Sequence, residues 1–415
     1  MHLARPAAPF TPEFFQDPYP TYAWLRDNDP VCAVRLPDSG IRVWLISRYE
    51  DVRQALADSR YSANLRSADA SYTGFVPPFG NLDPPEHTRV RRFSAGAFTV
   101  RRLERYGETV ARLTQELLAA LPENEQVDLL RSFAYPLSIS VIAEFLGAPL
   151  SDHDDLRRWA EESVSMEEPI RAAGALALQE YARSLVANVR STPTNGLVAE
   201  LIAMSDRDGL LTEQEIVDHV TGLIFAGQHN TSDALGNGLL ALLNHPRQWQ
   251  GVQANPGLVD SAVEEMLRYE GSSWTSLIRI PTQNIELHHT VIPRGDLVFL
   301  VFGAANRDPQ AFIDPEVFDI TRSAANHFGF GRGIHYCVGA NLAKLQMRTA
   351  IASIISQFPA MRLAVPRDAI RYRPALVNRG LRSLPVHTGH RAAPHTSVPG
   401  ASLVCPAHSS PVSKG

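Results

Sequence analysis

Apolar positions in this chain fall mainly at helical spacing, and strand-like alternation is confined to short stretches. Residues 1–30 are rich in proline and aromatics and read as an extended lead-in, with a helix predicted at 20–27. Residues 31–36 and 41–46 alternate well enough for two strands, joined by a Pro-Asp-Ser-Gly turn. A short helix is predicted at 49–57. The glycine- and proline-punctuated stretch 60–85 reads as a long loop, and loops of that length in compact proteins are often functional. From 85 to about 121 the pattern is helical and basic, and helices continue over 127–146 and 151–189, broken at Pro149 and Pro193. Thr212-Glu213-Gln214-Glu215 has the form of a capping box. The helix it starts runs to Asn244, roughly 48 Å at about 1.5 Å per residue, long enough to cross the whole protein. A further helix is predicted at 259–269, strands at 277–280, 285–287 and 297–302, and a long apolar helix at 340–358.

This pattern predicts a mainly α protein with minor β, folded as one domain over 1–387. Residues 388–415 carry Pro, Ser, Ala and His without apolar periodicity and read as a disordered tail. Hydrophobic residues make up 44% of the chain, enough for a sizeable core. The net charge of −5 argues against a nucleic-acid-binding surface. Cys32, Cys337 and Cys405 are too sparse for a disulfide framework and suit a reducing cytoplasm. The first nine residues lack the apolar core of a signal peptide, and no apolar run approaches the ~20 residues of a membrane span, so no membrane association is expected.

The densest chemistry lies at His327-Phe328-Gly329-Phe330-Gly331-Arg332-Gly333-Ile334-His335-Tyr336-Cys337-Val338-Gly339. Glycines there let the backbone turn sharply and let a flat ligand approach. Cys337 falls where this loop meets a helix N-terminus, and amides and the helix dipole stabilise a thiolate at such a place. A lone cysteine is more often a small buried hydrophobe. No second cysteine stands nearby, which argues against structural zinc and dithiol chemistry.

The spacing Phe330-x-x-Gly333-x-His335-x-Cys337-x-Gly339 resembles the haem-binding loop of the cytochromes P450, the haem-thiolate monooxygenases. The resemblance spans about residues 10 to 387 and implies the cytochrome P450 fold, of the soluble bacterial type. It makes Cys337 the thiolate ligand of the iron in haem b (iron protoporphyrin IX), with Phe330 packing beside it and His335 bonding a propionate. Three further stretches match in order. His87 and Arg91, one helical turn apart in Asp83-Pro84-Pro85-Glu86-His87-Thr88-Arg89-Val90-Arg91-Arg92, match the family's propionate contacts, as does Arg279. Glu265 and Arg268 match the Glu-x-x-Arg pair that braces the haem loop. Ala226-Gly227-Gln228-His229-Asn230-Thr231 matches the notch the family places over the distal haem face.

That last stretch departs from the family pattern. Where members carry an acid and then a threonine, which help deliver protons during oxygen activation, this chain has His229 and Asn230. Thr231 comes about 100° further round the helix. Asn230 can donate a hydrogen bond but has no proton to release. His229 could relay protons, or could simply pack against a neighbouring helix. Water held by Gln228 or Asn230, or the substrate itself, are the other sources. Asn64, Tyr72, Gln228, Trp274, Thr275 and Asn378 are the candidate pocket residues by resemblance, and their character suits an aromatic or peptide-like small molecule. Arg101, Arg102, Arg105, Arg332, Lys344 and Arg348 form a candidate basic face for a ferredoxin or flavodoxin served by its own reductase, or are ordinary solubility charge. The expected reaction is hydroxylation of a small-molecule natural product. Oxidative carbon–carbon or carbon–nitrogen coupling of aromatic substrates, a peroxide-driven oxidase and a haem sensor without turnover are the alternatives. A haem-free helical protein with Cys337 as a buried thiol is the remaining one.

Overall fold

The computed structural model describes residues 6–37, 39–68, 82–163, 167–209, 211–324 and 326–392. Helices dominate, and three of the four small sheets among the described residues join parts of the chain that are far apart in sequence. Val31–Arg35 pairs antiparallel with Arg42–Ile46, which in turn pairs in parallel with Leu297–Leu300. All four residues of Leu297–Leu300 are buried, as expected for a strand covered on both faces. A second sheet places Pro385–His387 between Gln126–Asp128 and Arg362–Leu363.

The Glu213–Asn244 helix is the axis of the largest core. Its capping box forms as expected, with Thr212 Oγ1 accepting from the Glu215 N–H at 3.2 Å. A helix apolar on all sides must be buried on all sides. Between Ile216 and Leu242 only Asp218, Phe225, Ala226, Gly227 and Asn230 keep appreciable exposure. The Tyr135–Leu146 helix crosses closely here: a Cβ on Gly227 would lie 2.7 Å from Ile142 Cγ1. A Cβ on Gly238 would lie 2.8 Å from Met266 Sδ of the Val259–Glu270 helix.

Two expectations shift, and one helix stands where none was predicted. The segment 127–146 is not one helix: Gln126–Asp128 is a strand, followed by a wide turn over Leu130–Ala134 and the helix Tyr135–Leu146. The strand is claimed by its pairing with the C-terminal chain, and Asp128 Oδ1 pins the junction by accepting from the N–H groups of Leu130 and Leu384 at 3.1 and 2.9 Å. Pro246 ends one helix and opens another, Pro246–Ala254, because its fixed φ and missing N–H suit a first helical turn. Order also continues past 387, where the tail was expected to begin. Thr388 is fully buried and donates to Glu125 O at 3.1 Å, and the Ala392 N–H donates to Gln357 O at 2.8 Å. Residues 393–415, with Cys405, lie outside the described residues.

Candidate active site

The loop before the Ala340–Gln357 helix is closed by its own backbone. The Cys337 N–H donates to Phe330 O at 2.9 Å, and Gly331 and Gly333 take φ values of +68° and +74°, where a side chain would be strained. Gly339 is the N-cap of the helix. Burial pushes the Cys337 thiol pKa up, while the amides of Gly339 and Ala340 and the Arg91 guanidinium pull it down. The side chain is nevertheless accessible to solvent. The Phe330 ring lies edge-on to Tyr336 at 6.2 Å between centroids, with Lys344 Nζ 5.4 Å from it.

His87, Arg91, Arg279 and His335 converge, although they come from three segments. The rings of His87 and His335 lie 4.3 Å apart. Burial, then Arg279 and His87, push the His335 pKa down to about 3. Burial and Arg91 lower that of His87. Arg91 donates to Tyr336 O. Arg279 is buried, which lowers its pKa to about 10, and Asp83 is the carboxylate that opposes the shift. Asp83 already accepts from Ser62 Oγ and the Ala63 N–H. So four bases crowd one place with one shared acid. Two carboxylates of a bound group would relieve that imbalance, and the cluster therefore fits a dicarboxylate such as the haem propionates.

Glu265 and Arg268 are buried together and joined by two bonds of 2.7 Å. Arg268 also donates to the carbonyls of Asn306, Pro315 and Val317 at 2.9, 2.8 and 3.2 Å. Glu265 accepts from the Asp319 N–H at 2.9 Å and from Arg322 at 3.3 Å. Asn306 in turn accepts from the Phe328 N–H at 2.7 Å, which carries the brace to the cysteine loop. Arg322 belongs to this framework, and a separate pair, Glu264 and His327, also ties the Val259–Glu270 helix to the loop; none of the three was given a role from sequence. Glu264 adjoins the braced glutamate and His327 opens the cysteine loop, so position was the available signal.

The helix notch opens at Ala226, Gly227 and Asn230, whose spacing of three and four puts them on one face. Asn230 Oδ1 is buried without a partner among the described residues. Gln228 is fully buried, its amide atoms likewise unpartnered. His229 turns elsewhere, towards the neighbouring helix, which is the packing alternative to a relay. Its Nε2 lies 2.6 Å from Ala160 O in the His153–Glu162 helix, and burial holds its pKa down to about 4. A carbonyl can only accept, so Nε2 carries the proton and is committed to that contact. Thr231 is buried off the open face.

The cytochrome P450 family model matches residues 175–257 and 255–365. Cytochrome P450 107B1 of Saccharopolyspora erythraea is 38% identical over 92% of this chain and 97% of its own length. Cytochrome P450 monooxygenase PikC of Streptomyces venezuelae is 39% identical over 90% of this chain and 92% of its own. The tirandamycin C-bound P450 monooxygenase TamI superposes with a TM-score of 0.86 at 38% identity, covering 91% of this chain and 99% of that one. The chain belongs to the cytochrome P450 family. It is a P450 oxidoreductase of the bacterial type, and the family implies a haem cofactor.

Two pocket assignments in this P450 need correction. Trp274 is buried in the N-terminal core against Phe14, Phe15 and Tyr22, and its Nε1 donates to Leu376 O at 3.1 Å. Thr275 is buried and donates to the same carbonyl at 3.1 Å. Both hold the segment that follows Arg373 rather than a ligand. Ser273 and Leu277, which flank the buried run 274–276, are the half-exposed positions. Asn378 bridges Ser273 across the backbone and stays half-exposed, as does Asn64. Tyr72 lies outside the described residues. On the candidate basic face, Arg102, Lys344 and Arg348 are paired with Glu200, Glu264 and Asp260 of the P450 itself. Arg105 and Arg332 are exposed, and the Arg101 side chain lies outside the described residues. Among the described residues no helix is long and apolar enough to cross a membrane.

Proposed function

We propose that this P450 hydroxylates a small natural product, using dioxygen and electrons from a separate ferredoxin- or flavodoxin-type partner, with Cys337 as the thiolate ligand of haem b. The observation that carries the reading is Cys337 itself: a solvent-accessible cysteine at a helix start, where the Gly339 and Ala340 amides and the Arg91 guanidinium favour a thiolate. Bound haem supplies the oxidising power, and thiolate ligation favours O–O cleavage. His87, Arg91, Arg279 and His335 bind its two carboxylates. The Gly339 and Ala340 amides hold negative charge on the sulfur. Ala226 and Asn230 are partly exposed positions of the helix notch, and the Asn230 amide oxygen there has no protein partner among the described residues. With His229 committed to Ala160, an ordered water or a substrate hydroxyl held by Asn230 supplies the proton that the family's acid and threonine provide elsewhere. The named monooxygenases among the relatives support insertion of oxygen. The loss of Trp274 from the pocket removes one reason to expect an aromatic substrate.

Two measurements test the reading. The reduced, carbon-monoxide-bound protein should show the red-shifted Soret band of thiolate ligation, lost in Cys337→Ser and kept in Cys32→Ser. With the true substrate, product mass should rise by one oxygen. A product lighter by two hydrogens refutes hydroxylation in favour of coupling.

A further inference from the structure

Glu264 neighbours the braced Glu265, yet it bonds to a different part of the molecule. Its Oε2 lies 3.1 Å from His327 Nε2, and its Oε1 lies 2.7 Å from Lys344 Nζ. The other ring nitrogen, His327 Nδ1, accepts the Gly329 N–H at 2.9 Å. An amide N–H can only donate, so Nδ1 is bare and the ring proton sits on Nε2, aimed at the carboxylate. The next residue, Phe330, offers the carbonyl that accepts the Cys337 N–H. A continuous series therefore runs from the Val259–Glu270 helix through a carboxylate, a ring and two peptides to the cysteine amide. The fit is close: a Cβ on Gly329 would lie 2.9 Å from His327 Nδ1 and 3.1 Å from Leu267 O. Burial opposes the charge on Glu264, but His327 and Lys344 outweigh it and hold the carboxyl down to about 2, so the acceptor stays ionised.

We propose that Glu264 is a positioning residue for the Cys337 sulfur: it holds His327 in the Nε2–H tautomer, keeps Nδ1 available to Gly329, and so fixes the loop that presents the thiolate. The alternative tautomer would place a proton on Nδ1 facing the Gly329 N–H, two donors in contact. The proposal rests on the reading of Cys337 as haem ligand, and the test separates the two.

The test uses the haem-bound protein, its Glu264→Met, His327→Asn, Lys344→Met and Glu264→Met/His327→Asn variants, and ¹⁵N-histidine labelling. In Glu264→Met the His327 ring signals should change from the pure Nε2–H pattern to a mixture, and the Gly329 amide should exchange faster. The thiolate-type carbon monoxide band should decay about tenfold faster in mild denaturant, the scale of one charge-assisted hydrogen bond. Asparagine places Oδ1 near where Nδ1 stood and needs no tautomer set. In the His327→Asn background, Glu264→Met should therefore change the band's lifetime less than about twofold. Lys344→Met, which spares the Glu264–His327 bond, should leave the ring signals unchanged. An unaltered tautomer in Glu264→Met, or the same loss of lifetime in both backgrounds, overturns the proposal. If the parent protein shows no red-shifted band, the ligand reading falls, and the ring signals and Gly329 exchange then decide the Glu264 proposal by themselves.

Discussion

Replacing Arg268 with alanine tests the brace most directly. Its side chain is fully enclosed and makes five bonds, two to Glu265 and three to the carbonyls of Asn306, Pro315 and Val317. The substitution leaves Glu265 with the Asp319 N–H and the more distant Arg322, and Arg322 also reaches Val317 O. The carbonyls of Asn306 and Pro315 lose the Arg268 donor, at about 1 to 3 kcal/mol for each group left unsatisfied. Breaking a buried ion pair from one side costs about 3–5 kcal/mol. These figures overlap rather than add, because the same desolvation enters both. Arg322 softens the loss, and the expected destabilisation is about 4 kcal/mol, a large part of a typical domain's stability. Arg268→Lys keeps the charge, but a single ammonium cannot reach the carboxylate and the carbonyls together, so it should lose about half as much. Urea unfolding of the haem-bound protein, followed by far-ultraviolet circular dichroism, measures both. A loss below about 1 kcal/mol for Arg268→Ala, or a wild-type Arg268→Lys, would refute the brace.

Two further outcomes follow from the long helix. The His229 pKa is held down to about 4 by burial, so the folded state resists a proton that the unfolded chain accepts near 6.5. The stability tied to this group is fully present above that value and is lost as pH falls towards 4, by up to about 3 kcal/mol. An unfolding series from pH 7 to 4.5 should show the slope, and His229→Gln should flatten it. Gly227→Ala should cost about 1–3 kcal/mol through its contact with Ile142, and Ile142→Ala should recover part of that loss in the double variant.

The elements that sequence placed best are those whose signal is local. The Thr212 cap, the helix to Asn244 and the strand pair 31–35 and 42–46 follow from residues within a few positions of one another. The strand at Gln126–Asp128 was hidden because its partner lies about 260 residues away, and only that pairing overrides the helical pattern around it. The site divides in the same way. The cysteine loop stretch and the spacing of His87 and Arg91 are visible along the chain. Their convergence with Arg279 and His335 is not, because it depends on three segments meeting. Trp274 and His229 show the limit most clearly. The residue type was compatible with a pocket or a relay, and only the direction of the side chain, towards Leu376 and Ala160, removes both roles.

The parallel pairing of Arg42–Ile46 with Leu297–Leu300 has a consequence for biosynthesis. The N-terminal hairpin leaves the ribosome about 250 residues before the strand that covers its open edge. At about 5–20 residues per second, that edge waits roughly 12 to 50 s. The Pro12–Gln16 helix waits longer still, since the Gln16 amide bonds the backbone of Tyr372. The amino-terminal layer is thus emitted first and finished last. During that interval an apolar strand with unpaired amides is open to wrong partners, and nascent-chain chaperones would have their greatest effect on it there.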